Sequence, residues 1–235
     1  MITKTKFSLT GNQLKSIAMI AMTCDHVGLQ LLPQFPILRI IGRLALPIFA
    51  YMIAEGCRHT RNRPRYLLTI LGFAFICQAV YFFAMGSVYM CILVTFSLSI
   101  ALIYLLDRAV TRKGILDHAL AAIGLGMVYF LCEKLSGILP HTDFAVDFGF
   151  WGVMLPVFIY FGPTRLGALV LSAVGLVLLA LNKGGFQWYA LSALVLLALY
   201  SGARGKYRMK YLFYIYYPGH LAAIYAIDLL LKRLS

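Results

Sequence analysis

The chain has 235 residues, of which 62% are hydrophobic and only 12% are charged. Ordinary soluble domains carry roughly a quarter charged residues, and a small globule cannot hide this much apolar surface from water. The composition therefore excludes a soluble globular domain, a disordered chain and, despite a net charge of +13, a soluble nucleic-acid-binding protein. It predicts an all-α, multi-pass membrane protein whose surroundings are the lipid bilayer, with no nucleic acid partner.

Nine segments are apolar enough to be membrane-spanning helices, each of which needs roughly 20 residues. The sixth and the eighth are short, and the sequence leaves open whether they cross fully. No internal repeat or linker divides the chain, so the sequence predicts a single domain over residues 1–235. The predicted spans are Ser16–Leu32, Ile37–Cys57, Tyr66–Ala84, Val88–Leu106, Asp117–Leu135, Phe148–Phe161, Leu166–Leu181, Gln187–Ser201 and Tyr211–Leu231.

Basic residues collect in alternate loops, and this pattern indicates the orientation because Lys and Arg mark cytoplasmic loops. The predicted topology places the amino terminus inside and the carboxyl terminus outside. The loops on the outer side keep few bases and carry several acids. The bases predicted on the inner side are Lys4, Lys6, Lys15, Arg58, Arg61, Arg63, Arg65, Arg108, Arg112, Lys113, Arg165, Arg204, Lys206, Arg208 and Lys210.

The first span contains two adjacent ionisable residues, Asp25 and His26. Thr23, His26 and Gln30 recur at spacings of three and four, which places them on one stripe of the helix. A structural histidine packed on this stripe is one interpretation. A functional site is favoured over it, because ionisable groups at bilayer depth are expensive. Neighbouring helical residues point about 100° apart, so Asp25 need not contact His26.

The second span begins with two arginines, Arg39 and Arg43, on one face at positions i and i+4. Two like charges in a low dielectric need an anionic partner, such as Asp25, a carboxylate ligand or a developing oxyanion. Alternatively, Arg39 extends to the outer head groups, which suits Arg43 less well. Pro47 is predicted to kink this helix.

A basic run follows the second span. Such a run usually marks the cytoplasmic side of a membrane, but arginine forks also suit the phosphates of a cytosolic nucleotide-like donor. Charge alone does not separate the two interpretations. Glu55 and His59, at i and i+4, are placed to pair on one face. The candidate donor-binding residues are Glu55, Arg58, His59, Arg61, Arg63 and Arg65.

The last span contains Tyr216-Tyr217-Pro218-Gly219-His220. Pro-Gly inside a membrane helix predicts a break, which is tolerated where neighbours or water satisfy the freed backbone groups. An aromatic-rich break with a histidine is typical of a cavity lining. Tyr217 and His220 therefore join Thr23 and Gln30 as candidate cavity residues.

The chain has 5 cysteines, scattered through apolar segments. Their spacing fits neither a redox motif nor a metal site, so they are interpreted as small core residues. No metal ion is expected.

Three segments carry a resemblance to a known family. They are LKSIAMIAMTCDHVG from Leu14, LRIIGRLALPIFAYMIAEGCRHTRNRPRYL from Leu38 and YYPGHLAAIY from Tyr216. Together they resemble the TraX family of integral-membrane proteins, whose named member acetylates the amino terminus of conjugative pilin. The first two in tandem are the more specific. The family is similar, at the level of fold analogy, to membrane acyltransferases that use cytoplasmic acyl-CoA.

The resemblance implies an O- or N-acetyltransferase in the cytoplasmic membrane of a bacterium, with acetyl-CoA as donor. The acceptor would be a hydroxyl or amine at the outer side, on a pilin amino terminus, a glycan or a small molecule. His26 would act as general base, and Asp25 would fix the imidazole tautomer or neutralise Arg43. Arg39 and Arg43 would hold the oxyanion or an acidic group of the acceptor.

Two other functions remain open on the same residues. A small transporter or proton-coupled carrier would use Asp, His and Arg as a relay, although the chain lacks the repeat symmetry of many carriers. A non-catalytic assembly protein for surface structures would need no relay at all. Saturable binding and slow hydrolysis of acetyl-CoA distinguish the enzyme from both.

Overall fold

The structure is a computed structural model that describes residues 8–206 and 210–234. Lys4, Lys6 and Arg208, three of the bases behind the predicted orientation, lie outside the described residues. Within these ranges the chain is helical and forms no β-strand, only isolated bridges that pair Leu9 with Tyr200 and Met90 with Val146. The all-α prediction is confirmed for this part of the chain.

The helices follow one another with short connections. A π-helical turn at Phe130–Lys134 joins the sixth to the seventh, and a 3-10 helix at Gly185–Ser192 precedes the tenth. The helices are α1 (Gly11–Gln30), α2 (Pro36–Gly42), α3 (Ala45–His59), α4 (Arg63–Met85), α5 (Ile92–Arg112), α6 (Ile115–Tyr129), α7 (Leu135–Ile138), α8 (Gly149–Phe161), α9 (Arg165–Lys183), α10 (Ala193–Ala198) and α11 (Lys210–Leu234).

Several of these helices suit a membrane. Among the described residues, five segments are long and apolar enough to cross it: Pro36–His59, Arg63–Phe83, Ile92–Arg112, Ile115–Ile138 and Arg165–Lys183. Large apolar side chains on them are exposed, including Phe75, Phe83 and Ile115, as expected where lipid is the solvent. The chain is a multi-pass membrane protein. The remaining four predicted spans and the orientation stay predictions.

The chain divides into two compact units, and the single domain stays a prediction. The first unit consists of residues up to Met52 and from Lys183 onward, and the second is Ile53–Asn182. In the first unit, α1 packs against α2 and α11. Thr10 starts α1 with a capping box, because its hydroxyl accepts from the Gln13 N–H while the Gln13 side chain accepts from the Thr10 N–H.

In the second unit, α5 packs against α4, α6 and α8. The buried hydroxyls of Ser97 and Ser99 on α5 donate to carbonyls four residues earlier, which satisfies them without water. The core prediction for the cysteines is confirmed at four positions and only in part at the fifth, since Cys24 in the first unit is half-buried. The four buried cysteines, none of which forms a disulfide, are Cys57, Cys77, Cys91 and Cys132.

A loop cluster explains why α5 begins later than the sequence predicts. Met90 exchanges backbone hydrogen bonds with Ala145 and Asp147, so the residues before Ile92 are extended rather than helical. Asp143 accepts hydrogen bonds from the Ser87 hydroxyl and from the Val88 N–H. These bonds stabilise the carboxylate and lower the pKa of Asp143 from its ordinary value.

The two proline predictions have opposite outcomes. The second predicted span is interrupted at Arg43 and Leu44, between α2 and α3, four and three residues before Pro47. Proline cannot donate to the carbonyl four residues earlier and its ring clashes with it, so the predicted kink at Pro47 is confirmed as this interruption. The predicted break at Pro218 and Gly219 is wrong. The last helix, α11, runs uninterrupted through Pro218. Proline removes one backbone hydrogen bond, whereas a break would expose several to lipid.

Candidate functional site

Asp25 on α1 forms ion pairs with two arginines. Arg39 lies in α2, and Arg43 directly follows the C-terminal end of α2. One carboxylate oxygen lies 3.1 Å from Arg39 Nη1, and the other accepts a hydrogen bond from Arg43 Nη2. Arg39 also donates to the Asp25 backbone carbonyl at 3.4 Å. Of the two roles that the sequence leaves open for Asp25, the geometry supports charge neutralisation of the arginines rather than a contact with His26.

Two glycines allow α1 and α2 to approach this closely. A Cβ atom at Gly42 would lie 2.3 Å from the Asp25 Cβ, and one at Gly28 would lie 2.7 Å from the Leu38 Cβ. Neither position has room for a methyl group unless a helix moves. The ion pairs therefore depend on glycine at the crossing of the two helices.

Arg43 also contacts a residue that sequence reasoning did not select. Its Nη1 donates to Gln187 Oε1 at 3.3 Å, from α2 to the 3-10 helix at Gly185–Ser192. Gln187 is buried, and its Nε2 has no hydrogen-bond partner among the described residues. A polar residue at the start of the short eighth predicted span was the available signal.

The two histidines meet in this same unit. His26 Nδ1 on α1 lies 3.0 Å from His220 Nε2 on α11, and His220 Nδ1 lies 2.9 Å from the Tyr216 carbonyl oxygen. The Tyr216 ring stacks on the His220 ring, with centroids 5.2 Å apart. His220 and Tyr217 are buried, although no helix break places them there.

This chain of contacts fixes the tautomers of both neutral rings. A carbonyl only accepts, so His220 Nδ1 carries the hydrogen and His220 Nε2 is left as an acceptor. His26 Nδ1 must then donate to it, which leaves the lone pair of His26 on Nε2. The arrangement prepares His26 to accept a proton at Nε2.

The other candidate cavity residues lie on α1 and α11. The Thr23 hydroxyl is 2.5 Å from the Tyr216 hydroxyl, which connects α1 to α11. The Tyr217 ring makes an edge contact with His220, with centroids 5.6 Å apart. Gln30 Oε1 is buried and lacks a hydrogen-bond partner within residues 8–206 and 210–234.

The basic run from Arg58 to Arg65 belongs to the second unit, and two of its arginines are held there by protein groups. Arg58 donates to Glu55 at 2.9 Å, to the Ile159 carbonyl, and to the carbonyls of Tyr160 and Gly162 at 2.9 and 3.0 Å. These carbonyls lie at the C-terminal end of α8, where backbone acceptors lack helical partners. Arg58 therefore caps α8.

Arg63 is held by an acid on α5. Its Nη2 lies 2.6 Å from Asp107 Oδ2, and its guanidinium lies over the Tyr104 ring at 5.1 Å. The Tyr160 hydroxyl donates to the same carboxylate at 2.9 Å. Asp107 and Tyr160 were missed from the sequence, where each reads as one polar residue in an apolar helix.

The remaining members of the run are exposed. Arg61 and Arg65 make no ion pair within the described part of the chain. His59 Nδ1 contacts the Glu55 backbone carbonyl at 2.9 Å and lies 3.9 Å from its carboxylate, so Glu55 pairs mainly with Arg58. Arg61, Arg65 and His59 are thus the members of the run that remain available to a ligand.

Comparison with known proteins gives a family for this arrangement. The family described as "TraX protein" matches residues 10–228, which include α1 to α10 and most of α11. The chain belongs to the TraX family. The resemblance carried by the three sequence motifs is therefore confirmed.

Two relatives are similar to this TraX chain over very different lengths. The protein named "Probable fimbrial assembly protein FimC, serogroup H1" from Dichelobacter nodosus is 28% identical over a gapped alignment of 258 residues. The alignment covers 94% of this chain and 96% of that protein. An uncharacterized protein of Rickettsia prowazekii (strain Madrid E) is 58% identical over 38 residues, 16% of this chain and 15% of that protein. No solved structure matches the chain.

The described part of this TraX protein contains no cluster of side chains that could bind a metal ion. No group of three or more His, Cys, Asp and Glu side chains lies close enough there to hold an ion. The chemistry available in the first unit is a histidine with a directed lone pair and a carboxylate shared by two arginines.

Proposed function

We propose that this TraX protein is an acetyl-CoA-dependent membrane acetyltransferase with a hydroxyl or amine acceptor. The observation that carries the proposal is the chain from the Tyr216 carbonyl through His220 to His26, which leaves the lone pair of His26 on Nε2. A general base needs a defined tautomer within reach of the proton that it removes. The contact with His220 supplies that tautomer.

The proposed reaction is a direct acyl transfer. As the acceptor oxygen or nitrogen attacks the thioester carbonyl, His26 Nε2 removes its proton and a tetrahedral oxyanion forms. The C–S bond then breaks, the carbonyl reforms, and the leaving thiolate of CoA takes the proton from His26. Asp25, Arg39 and Arg43 form a cluster of positive formal charge in this unit, which favours an anionic group of the acceptor beside it.

The donor's phosphates are proposed to bind the inner basic run. Arg58 and Arg63 already have protein partners, so Arg61, Arg65 and His59 are the residues that we assign to phosphate contacts. Arginine suits this role because its planar fork binds phosphate oxygens in pairs. Glu55 is assigned to holding Arg58, and it makes no proposed contact with the donor.

The name of the Dichelobacter relative bears on the acceptor. That protein is named for fimbrial assembly and is similar to nearly the whole chain. We therefore propose a pilin-related polypeptide as acceptor, in the cytoplasmic membrane of a bacterium, with the amino terminus inside. The positive-inside pattern of the loops supports this orientation.

Purified protein in detergent with acetyl-labelled acetyl-CoA tests the activity. Slow hydrolysis and transfer to a pilin amino-terminal peptide are expected from the parent protein and from His118→Ala, which alters an exposed histidine of the second unit. Loss of both reactions in His26→Ala is expected. Hydrolysis that persists in His26→Ala would assign the chemistry to another group.

A proton-coupled carrier is the second candidate. The contact between His26 and His220 is also the kind of hydrogen-bonded chain that passes protons. Reconstituted vesicles with a pH-sensitive dye separate the two functions. A proton flux that depends on His26, in the absence of acetyl-CoA hydrolysis, would favour the carrier.

A further inference from the structure

The cluster of Asp25, Arg39, Arg43 and Gln187 contains two guanidinium groups and one carboxylate, so its formal charge is positive. Two guanidinium groups share one carboxylate, and the side chain of Arg43 is only 10% exposed. Asp228 is the other acid of the first unit, and it pairs with Lys232 at 2.7 Å. Desolvated charge of one sign is costly unless a counter-ion is bound.

Gln187 adds an unused donor to the same cluster. A guanidinium can only donate, so the amide oxygen of Gln187 must face Arg43, and its NH2 group points elsewhere. That NH2 group is buried and has no partner within the described residues. A buried donor without an acceptor is rare and points to a missing ligand.

We propose that this cluster binds a carboxylate of the acceptor, with Gln187 and the two arginines as its contacts. One carboxylate has one negative charge, which brings the cluster to neutrality. A phosphate dianion would leave an excess negative charge in the same low dielectric. The planar fork of arginine also matches the two oxygens of a carboxylate.

The inference rests on the proposed function only where it names the ligand as the acceptor. An acceptor held in this way carries a carboxylate in addition to the amine or hydroxyl that is acetylated. Binding of a carboxylate can be measured without any transfer, so the two proposals fail separately.

The test uses N-acetylglycine, which has a carboxylate but no free amine or hydroxyl, and N-acetylglycinamide, its neutral counterpart. Ligand-observed saturation-transfer NMR with the purified full chain in detergent measures both affinities, with no acetyl-CoA present. Three variants are compared with the parent. Gln187→Glu cancels the excess charge, Gln187→Leu removes the donor, and Gln13→Glu makes the same chemical change at the exposed capping-box glutamine of α1.

N-acetylglycine is expected to bind saturably and N-acetylglycinamide much more weakly. Gln187→Glu should weaken N-acetylglycine by about ten- to a hundred-fold and Gln187→Leu by about ten-fold, while Gln13→Glu leaves it unchanged. If Gln187→Glu does not fold, Gln187→Leu decides. Equal binding of the acid and the amide, or parental affinity in the Gln187 variants, would overturn the proposal. Displacement by inorganic phosphate at lower concentration than by acetate would also overturn it.

Discussion

The two groups of arginines in this protein differ in how their charge is compensated. In the second unit, Arg58 is held by Glu55 and by the carbonyls at the end of α8, and Arg63 is held by Asp107. In the first unit, Arg39 and Arg43 share the single carboxylate of Asp25. The longer basic run therefore serves the fold at two of its positions. Arg39 and Arg43 have a positive formal charge that exceeds the single negative charge of Asp25, and this excess is the better sign of a ligand.

The largest effect is expected at His26, beside the undercompensated pair. His26→Ala removes the proposed general base and should lower acetyl transfer by about 10²–10⁴-fold, measured as initial rates with labelled acetyl-CoA. Expression and melting temperature should stay near those of the parent, because the substitution removes only one side chain from a protein of many packed helices. His118→Ala serves as the matched control. Transfer within a few-fold of the parent would remove His26 from the mechanism.

The members of this site differ in how far they can be predicted from sequence. Asp25, His26, Arg39 and Arg43 stand out because ionisable residues in an apolar span are expensive. The ion pairs between Asp25 and the two arginines can also be anticipated, because buried arginines need a counter-charge. Gln187, Tyr216 and Asp107 give a weaker signal, since the role of each comes from a contact with a distant helix that the sequence does not show.

The helices show a similar division. Hydropathy locates them well, because each apolar segment must satisfy its own backbone hydrogen bonds in lipid. The break between α2 and α3 is predicted, because Pro47 cannot bond to the carbonyl four residues earlier. The continuity of α11 is not predicted, because Pro218 falls in a helix that keeps its other hydrogen bonds.

The second largest effect is expected on stability when Asp25 is neutralised. Asp25→Asn leaves two partly buried guanidinium groups without their carboxylate, which typically costs about 3–5 kcal/mol. Thermal unfolding in detergent measures the loss, and the double variant Asp25→Asn with Arg43→Met should recover part of it. Asp228→Asn is the control, since its partner Lys232 is exposed. If Asp25→Asn were as stable as the parent, Asp25 would not be the counter-ion that stabilises Arg39 and Arg43.

A smaller effect is expected in the basic run, and it differs between members. Arg58→Gln removes hydrogen bonds from a charged donor to three carbonyls and should destabilise the protein by about 1.5–3 kcal/mol. Arg61→Gln should leave the melting temperature unchanged and weaken CoA binding by about ten- to a hundred-fold. The loss should shrink for a pantetheine analogue without the nucleotide phosphates. Unchanged CoA affinity in both Arg61→Gln and Arg65→Gln would place the donor site elsewhere.

The smallest effect is expected at the glycine that brings Asp25 to its arginines. A methyl group at Gly42 would overlap the Asp25 side chain, so Gly42→Ala must separate α1 from α2 and should cost about 1–3 kcal/mol. Gly72→Ala is the matched control, because a Cβ atom there has no neighbour within 4 Å, and it should be neutral or stabilise α4 by about 0.5–1 kcal/mol. Melting temperatures of the two variants make the comparison.

The same pair of variants tests whether the ion pairs matter beyond stability. Gly42→Ala displaces Asp25 from Arg43 without removing any charge, so it should lower the melting temperature but strengthen N-acetylglycine binding, because the two arginines then lack their internal carboxylate. Gly72→Ala should change neither affinity nor, beyond its helix propensity, stability. If Gly42→Ala melted like the parent and bound N-acetylglycine equally well, α1 and α2 would have to lie farther apart than this structure places them. In that case the Asp25 carboxylate would not be the counter-charge that Arg39 and Arg43 share.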